Sequence, residues 1–86
     1  MSTSEELLAF ADRVLPEPAS EDVLIVQDIA MNDDESIAYG ALDLLVAARV
    51  TIPEDLLLRA LDDYSDSWTF VELATEALER QRQNVA

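Results

Sequence analysis

The stretch SIAYGALDLLVAAR, residues 36–49, decides the fold of this 86-residue chain. Its apolar residues recur three and four positions apart, the spacing that places side chains on one face of an α-helix. The opposite face is small and weakly polar around Gly40, Asp43 and Ala47. A glycine inside a helix costs about 1 kcal/mol relative to alanine, which close approach of another backbone would offset. We therefore predict a central helix packed on two sides, with an apolar stripe of Ala38, Ala41, Leu42, Leu45 and Ala48, widened by Ile37 and Leu44.

The N-terminal segment shows the same helical spacing. Thr3 and Glu6 have the spacing of a capping box, with Thr3 as the predicted N-cap. Pro16 and Pro18 should end this first helix, because proline removes a backbone donor and restricts the residue before it. The predicted inward residues are Leu7, Phe10, Ala11, Val14 and Leu15.

A second predicted helix starts at the cap residue Ser20 and is apolar around most of its circumference, which is typical of a buried helix. Its run 23–26 is also consistent with a short strand, and this alternative stays open. The turn at residues 32–35 separates it from the central helix, for which Asp33 or Asp34 is the predicted cap.

Two more helices follow the central one. Thr51 and Glu54 again have capping-box spacing, and the next helix should begin near Ser67. We expect residues 81–86 to fray. Leu57, Ala60, Leu61 and Tyr64 should face inward in the first of these helices, and Val71, Ala74, Ala77 and Leu78 in the second, with Phe70 and Leu73 at its flanks. The sequence therefore predicts an all-α fold: residues 1–86 form a single small antiparallel bundle of four to five short helices.

The composition excludes several kinds of functional site. The chain has no cysteine and no histidine, so it lacks the usual ligands of zinc, haem and iron–sulfur clusters, and it cannot form a disulfide. No EF-hand loop occurs, because the only glycine lies inside a helix. Acyl carrier proteins bear their prosthetic group on a serine in an Asp-Ser-Leu motif, and residues 66–68 match it poorly. We therefore expect no catalytic activity, no metal and no cofactor.

The charge bears on the kind of partner. Five arginines and nineteen carboxylates give a formal net charge of −14. Such a charge repels nucleic acid and anionic membranes and accelerates association with basic proteins. A role in solubility alone is the alternative interpretation. The N-terminus lacks the positive region of a secretory signal, so we expect a cytoplasmic protein.

Two turns carry clusters of carboxylates. The first cluster is Asp33, Asp34 and Glu35. The second is Asp62, Asp63 and Asp66, which lie beside the aromatic residues Tyr64 and Trp68. Aromatic rings supply contact area at protein interfaces, while charged groups supply selectivity. We therefore predict a partner-binding surface of Asp33, Asp34, Glu35, Asp55, Asp62, Asp63, Tyr64, Asp66 and Trp68. The helical wheel favours partial exposure of Trp68; alternatively, both aromatic residues belong to the core and the acids form a solvated face.

Residues 36–45 (SIAYGALDLL) and 48–55 (ARVTIPED) resemble small immunity proteins of bacterial polymorphic toxin systems, above all the Maf-type immunity family. The resemblance covers about residues 36–58 and consists of an Ala-Leu-acid-x-Leu helix followed by a Val-x-Ile-Pro turn. It implies a small helical acidic protein that neutralises a toxin. It assigns no functional residue.

These observations predict a binding protein whose acids cover a basic surface or active-site cleft of a toxin domain. The alternative is an acidic helical adaptor or regulatory subunit that docks a partner helix on the face of Gly40, Asp43 and Ala47. The sequence does not fix the oligomeric state.

Overall fold

The computed structural model describes residues 2–15 and 34–84, and these residues form four α-helices. The helices are α1 (Thr3–Val14), α2 (Asp34–Ala47), α3 (Glu54–Asp63) and α4 (Trp68–Asn84). They correspond to the first, third, fourth and fifth helices predicted above. The predicted second helix and the strand alternative at residues 23–26 lie outside the described ranges.

Both ends of α1 follow from local chemistry. The cap is Ser2 rather than the predicted Thr3: the Ser2 hydroxyl accepts from the Glu5 N–H at 3.3 Å. Thr3 is instead helical and buried, and its hydroxyl donates to Asp63. At the other end Leu15 is extended, with φ −77° and ψ 146°, as expected for a residue that precedes proline.

The start of α3 is held by a distant side chain. The predicted cap Thr51 is exposed, and Pro53 occupies the cap position without a side-chain hydrogen bond. The Gln81 amide of α4 instead accepts from the Ile52 N–H at 2.7 Å and donates to the Ile52 carbonyl at 2.9 Å. Residues 81–84 belong to α4, and residues 85–86 of the segment predicted to fray lie outside the described ranges.

The start of α4 matches the prediction. The Ser67 hydroxyl accepts from the Phe70 N–H at 3.4 Å, and the Val71 N–H donates to the Ser67 carbonyl at 2.9 Å. Ser67 thus acts as a helix cap, a position that serine favours because its oxygen satisfies an unpaired backbone donor.

One apolar cluster joins the four helices. Phe70, predicted at a flank, is fully buried and contacts Tyr64 with 4.9 Å between ring centroids. Val14 was predicted to face inward but is 38% exposed, whereas Leu8, which was not predicted, is buried. The predicted stripe of α2 is buried except for Ala48, which lies after the helix end. The central members of the cluster are Leu7, Ala11, Ala38, Ala41, Leu42, Leu45, Leu57, Ala60, Phe70 and Ala74.

Long-range contacts set the helix directions. The Ser4 hydroxyl donates to Asp34, so α1 and α2 begin at the same end of the molecule. Thr3 contacts Asp63 and Glu6 contacts Arg59, so α3 runs antiparallel to α1. Arg82 pairs with Glu54 at 2.5 Å, so α3 also runs antiparallel to α4. α2 packs against both α1 and α4, as predicted for the central helix. The described residues therefore form a small all-α bundle, but it is not antiparallel throughout as predicted: α3 runs opposite to α1 and α4, whereas α1 and α2 begin at the same end.

Candidate functional site

The fold brings the two predicted acidic clusters together. Asp34 starts α2 and Asp63 ends α3, yet both accept hydrogen bonds from the first turn of α1: Ser4 donates to Asp34 and Thr3 to Asp63. The Tyr64 hydroxyl also donates to Asp34, at 2.5 Å. We call the resulting surface the acidic end; its residues are Asp34, Glu35, Asp62, Asp63 and Asp66.

Tyr64 lies in the interior beneath this surface and does not form part of it. Its side chain is buried, with a relative exposure of 8%. Burial, and next the hydrogen bond to the Asp34 carboxylate, raise the pKa of Tyr64 to about 12, with further contributions from the charges of Asp34 and Asp63. The buried ring offers no contact area to a partner. The inclusion of Tyr64 in the predicted binding surface is therefore corrected to a structural role.

Three carboxylates of the acidic end are open to a partner. Glu35, Asp62 and Asp66 are exposed, and no hydrogen bond or ion pair joins them to another described residue. Asp55 lies apart from them, because it belongs to the first turn of α3 and faces Arg59 at 4.0 Å. Asp33, the remaining predicted member, falls outside the described ranges.

Trp68 lies next to these carboxylates at the start of α4. Its side chain is 76% exposed, the highest value among the large apolar residues that the structure describes. The predicted partial exposure is confirmed. An exposed tryptophan beside carboxylates offers both apolar area and a hydrogen-bond donor, a combination common at the centres of protein interfaces.

Positive charge lies away from the acidic end. All five arginines fall in the described ranges, and four of them are near or just beyond the C-terminal ends of α1, α2 and α4. The fifth, Arg59, pairs with Glu6 at 2.6 Å. The arrangement follows the helix dipoles, which favour cations at C-termini and anions at N-termini.

Asp62 and Asp63 depart from that rule. They end α3, where the helix dipole disfavours negative charge. The Thr3 hydroxyl compensates Asp63, whereas Asp62 has no such donor among the described residues. We therefore expect the charge of Asp62 to be unfavourable in the isolated protein, and conflicts of this kind are expected at functional surfaces.

Among residues 2–15 and 34–84, no three carboxylates converge closely enough to hold a metal ion. None of the described helices is long and apolar enough to cross a membrane.

The hydroxyls of Thr3 and Ser4, which hold the acidic end together, were missed by sequence reasoning. Their partners lie 60 and 30 residues away, so no spacing rule could indicate them. The only local sign of these contacts is that two polar side chains are buried at the start of α1, and the sequence alone does not reveal that burial. Comparison with protein-family models, with curated proteins and with solved structures finds no match to this chain.

Proposed function

We propose that this chain is a non-catalytic protein-binding module that uses its acidic end to cover a basic surface on a partner protein. One observation carries the proposal: carboxylates from two separate turns meet at an end without arginines, beside the exposed Trp68. Clustered like charges destabilise the isolated fold, and a basic partner would relieve that repulsion. The resemblance to immunity proteins favours a toxin domain in the cytoplasm as the partner.

Charge reversal at the acidic end tests the binding surface. The triple variant Glu35→Lys, Asp62→Lys, Asp66→Lys leaves Asp34 and Asp63 with their hydroxyl donors, so the fold should persist. We expect association with a basic partner to slow by about 10- to 1000-fold at low salt, since electrostatic steering is lost. The measurement is capture from the native lysate at about 0.01 M and about 1 M ionic strength, followed by stopped-flow binding of the captured protein.

The matched control is the variant Asp12→Lys, Glu76→Lys, Glu79→Lys, which changes three exposed carboxylates elsewhere by the same amount of charge. It should retain capture of the basic partner. Equal loss in both triple variants would show that only net charge matters, and unchanged affinity in the acidic-end variant would remove this surface from the proposal.

The toxin assignment needs its own experiment. The captured protein, expressed alone, should arrest growth of its host, and co-expression of the parent chain should restore growth. The acidic-end variant should fail to restore it. A captured partner without toxicity would overturn the immunity role while leaving acidic binding intact.

An adaptor role remains the second candidate, because part of the face of Gly40, Asp43 and Ala47 is uncovered. Asp43 and Ala47 are exposed, and Gly40 is half-buried and lines a cavity together with Thr69 of α4. A shallow cavity of about 290 Å³ lies over Gly40. The described helices therefore leave room on this face for a larger side chain or for a docking helix.

Gly40→Leu separates the two candidate functions. Because the cavity has room and leucine has the better helix propensity by about 1 kcal/mol, the variant should stay folded, with its melting temperature unchanged or higher. Adaptor docking would be abolished, whereas capture through the acidic end would continue. Circular dichroism and the same capture assay provide the measurements; a variant that unfolds in isolation would show instead that Gly40 packs closely against its surroundings.

A further inference from the structure

A second cavity lies at the other end of the bundle, between the end of α2 and α4. Its volume is about 520 Å³, within the range of small-molecule sites. We call it the arginine groove; it is lined by Val46, Arg49, Val50, Thr51, Ala77, Arg80 and Gln81. Two half-buried valines and a buried alanine form its apolar part, and two exposed guanidinium groups form its charged part.

Neither arginine of the groove forms an ion pair with a described residue, a property that they share with Arg13 elsewhere on the surface. Arg59 and Arg82 each form an ion pair with a carboxylate. Arg49 and Arg80 have no carboxylate partner among the described residues, in a chain with 19 carboxylates. Two guanidinium groups that share a cavity repel each other, and an anion between them would relieve that repulsion.

Arg49 occupies a backbone position that favours glycine. Its φ is 58°, and it is the one non-glycine residue with positive φ in the described ranges. The Val50 N–H donates to the Leu45 carbonyl at 3.1 Å and the Arg49 N–H to the Val46 carbonyl at 3.0 Å. These two bonds define a Schellman motif, in which glycine is usual at the position of Arg49. The chain carries an arginine there despite the steric disadvantage of the left-handed conformation.

The polar wall of the groove is fixed in place. The oxygen and the nitrogen of the Gln81 amide both form hydrogen bonds with the backbone of Ile52. Gln81 thus ties α4 to the segment before α3 and leaves the guanidinium groups as the main contacts for a ligand. A ligand would meet two arginine forks above an apolar floor, an arrangement suited to bidentate binding of a carboxylate.

The charge of the whole chain restricts the size of the ligand. A polyanion would be repelled by the net charge of −14. A compact anion at the groove responds mainly to the nearby arginines, since charges more than about 8 Å away are screened at physiological ionic strength. These conditions favour one carboxylate on an apolar body over nucleic acid, an acidic peptide or an anionic membrane.

We propose that the arginine groove binds a small organic carboxylate, with the carboxylate between Arg49 and Arg80 and the apolar body against Val46 and Val50. The groove is independent of the acidic end, so this site does not rest on the proposed binding of a basic protein. It adds a small-molecule site at the opposite end of the bundle.

The first test is a titration of the full chain, followed by two-dimensional NMR, with a panel of aromatic and branched aliphatic carboxylic acids and the matched neutral amides. We expect saturable shifts at the groove residues with a Kd of about 1 mM for the best acids. The amides should bind at least about tenfold more weakly, because the charge-assisted hydrogen bonds are lost. Equal midpoints for acids and amides, or no groove shift with any acid at about 10 mM, would overturn the proposal.

Substitutions at the groove supply the second test. Arg49→Gly should raise the melting temperature by about 4–8 °C, because glycine fits the left-handed position, and should also weaken acid binding at least tenfold. Arg80→Gln should weaken binding similarly, whereas Arg13→Gln, which removes an arginine outside the groove, should not. A more stable Arg49→Gly variant that binds the acids like the parent would show that the arginine has no role in ligand recognition.

Discussion

Phe70→Ala should unfold a large fraction of the protein, lowering the free energy of unfolding by about 3–5 kcal/mol. Phe70 is fully buried at the junction of α3 and α4, where its ring contacts that of Tyr64. Truncation leaves a cavity in a domain whose total stability is expected near the low end of about 5–15 kcal/mol. The measurement is the midpoint of urea unfolding, followed by circular dichroism.

The second phenylalanine provides the matched control. Phe10 is only partly buried, and the Arg13 guanidinium lies 5.5 Å from its ring centroid. Phe10→Ala removes the same atoms but opens little internal volume, so its effect should be clearly smaller. If Phe10→Ala proved as destabilising as Phe70→Ala, the core would be centred on α1 rather than on the junction of α3 and α4.

Replacement of Phe70 should also weaken binding at the acidic end. Tyr64 contacts Phe70 on one side and donates to Asp34 on the other, so the ring of Phe70 helps to hold the tyrosine under the carboxylates. A destabilised but folded variant, such as Phe70→Leu, should therefore weaken partner binding without changing any surface charge.

Helical spacing predicted much of this fold. The apolar stripe of α2 was identified correctly at Ala38, Ala41, Leu42 and Leu45, because a 3.6-residue period leaves one face for the core. The stop before Pro16 was also correct, since it depends on the restriction that proline imposes on its neighbour. Both successes rest on rules that act within a few residues.

The errors arise where a long-range contact competes with a local rule. Thr3 satisfies the capping-box spacing as well as Ser2 does, but its hydroxyl is needed by Asp63. Gln81 looked like part of a fraying end, yet both polar atoms of its amide bind the backbone of Ile52. Local patterns cannot reveal such partners, because the partners become neighbours only when the helices pack.

The candidate surface likewise has some features that local patterns predict and others that depend on long-range contacts. The solvent-exposed position of Trp68 followed from its place on the helical wheel, and it is confirmed. The inward position of Tyr64 follows from helical spacing and is confirmed, whereas its hydrogen bond to Asp34, thirty residues earlier in the sequence, follows from no local pattern. The convergence of two acidic turns at one end likewise depends on the helix directions, which periodicity does not determine.

High pH should destabilise the protein through Tyr64. Its pKa is raised to about 12, above the usual tyrosine value of about 10, chiefly by burial and then by the Asp34 carboxylate. The folded state therefore favours the neutral hydroxyl. Its contribution to stability is complete below pH 10 and is lost as the pH rises from 10 towards 12. We expect the free energy of unfolding to fall by about 2 kcal/mol across this interval.

The two tyrosines allow this effect to be assigned to one residue. Tyr64→Phe should be less stable than the parent near neutral pH, by about 1 kcal/mol, because it lacks the hydrogen bond to Asp34. Its stability should then change little between pH 10 and 12. Tyr39→Phe, at a position 38% exposed, should keep the full alkaline loss. Urea unfolding at stepped pH, with tyrosinate absorbance followed in parallel, measures both quantities; the same alkaline loss in Tyr64→Phe as in the parent would place the titrating group elsewhere.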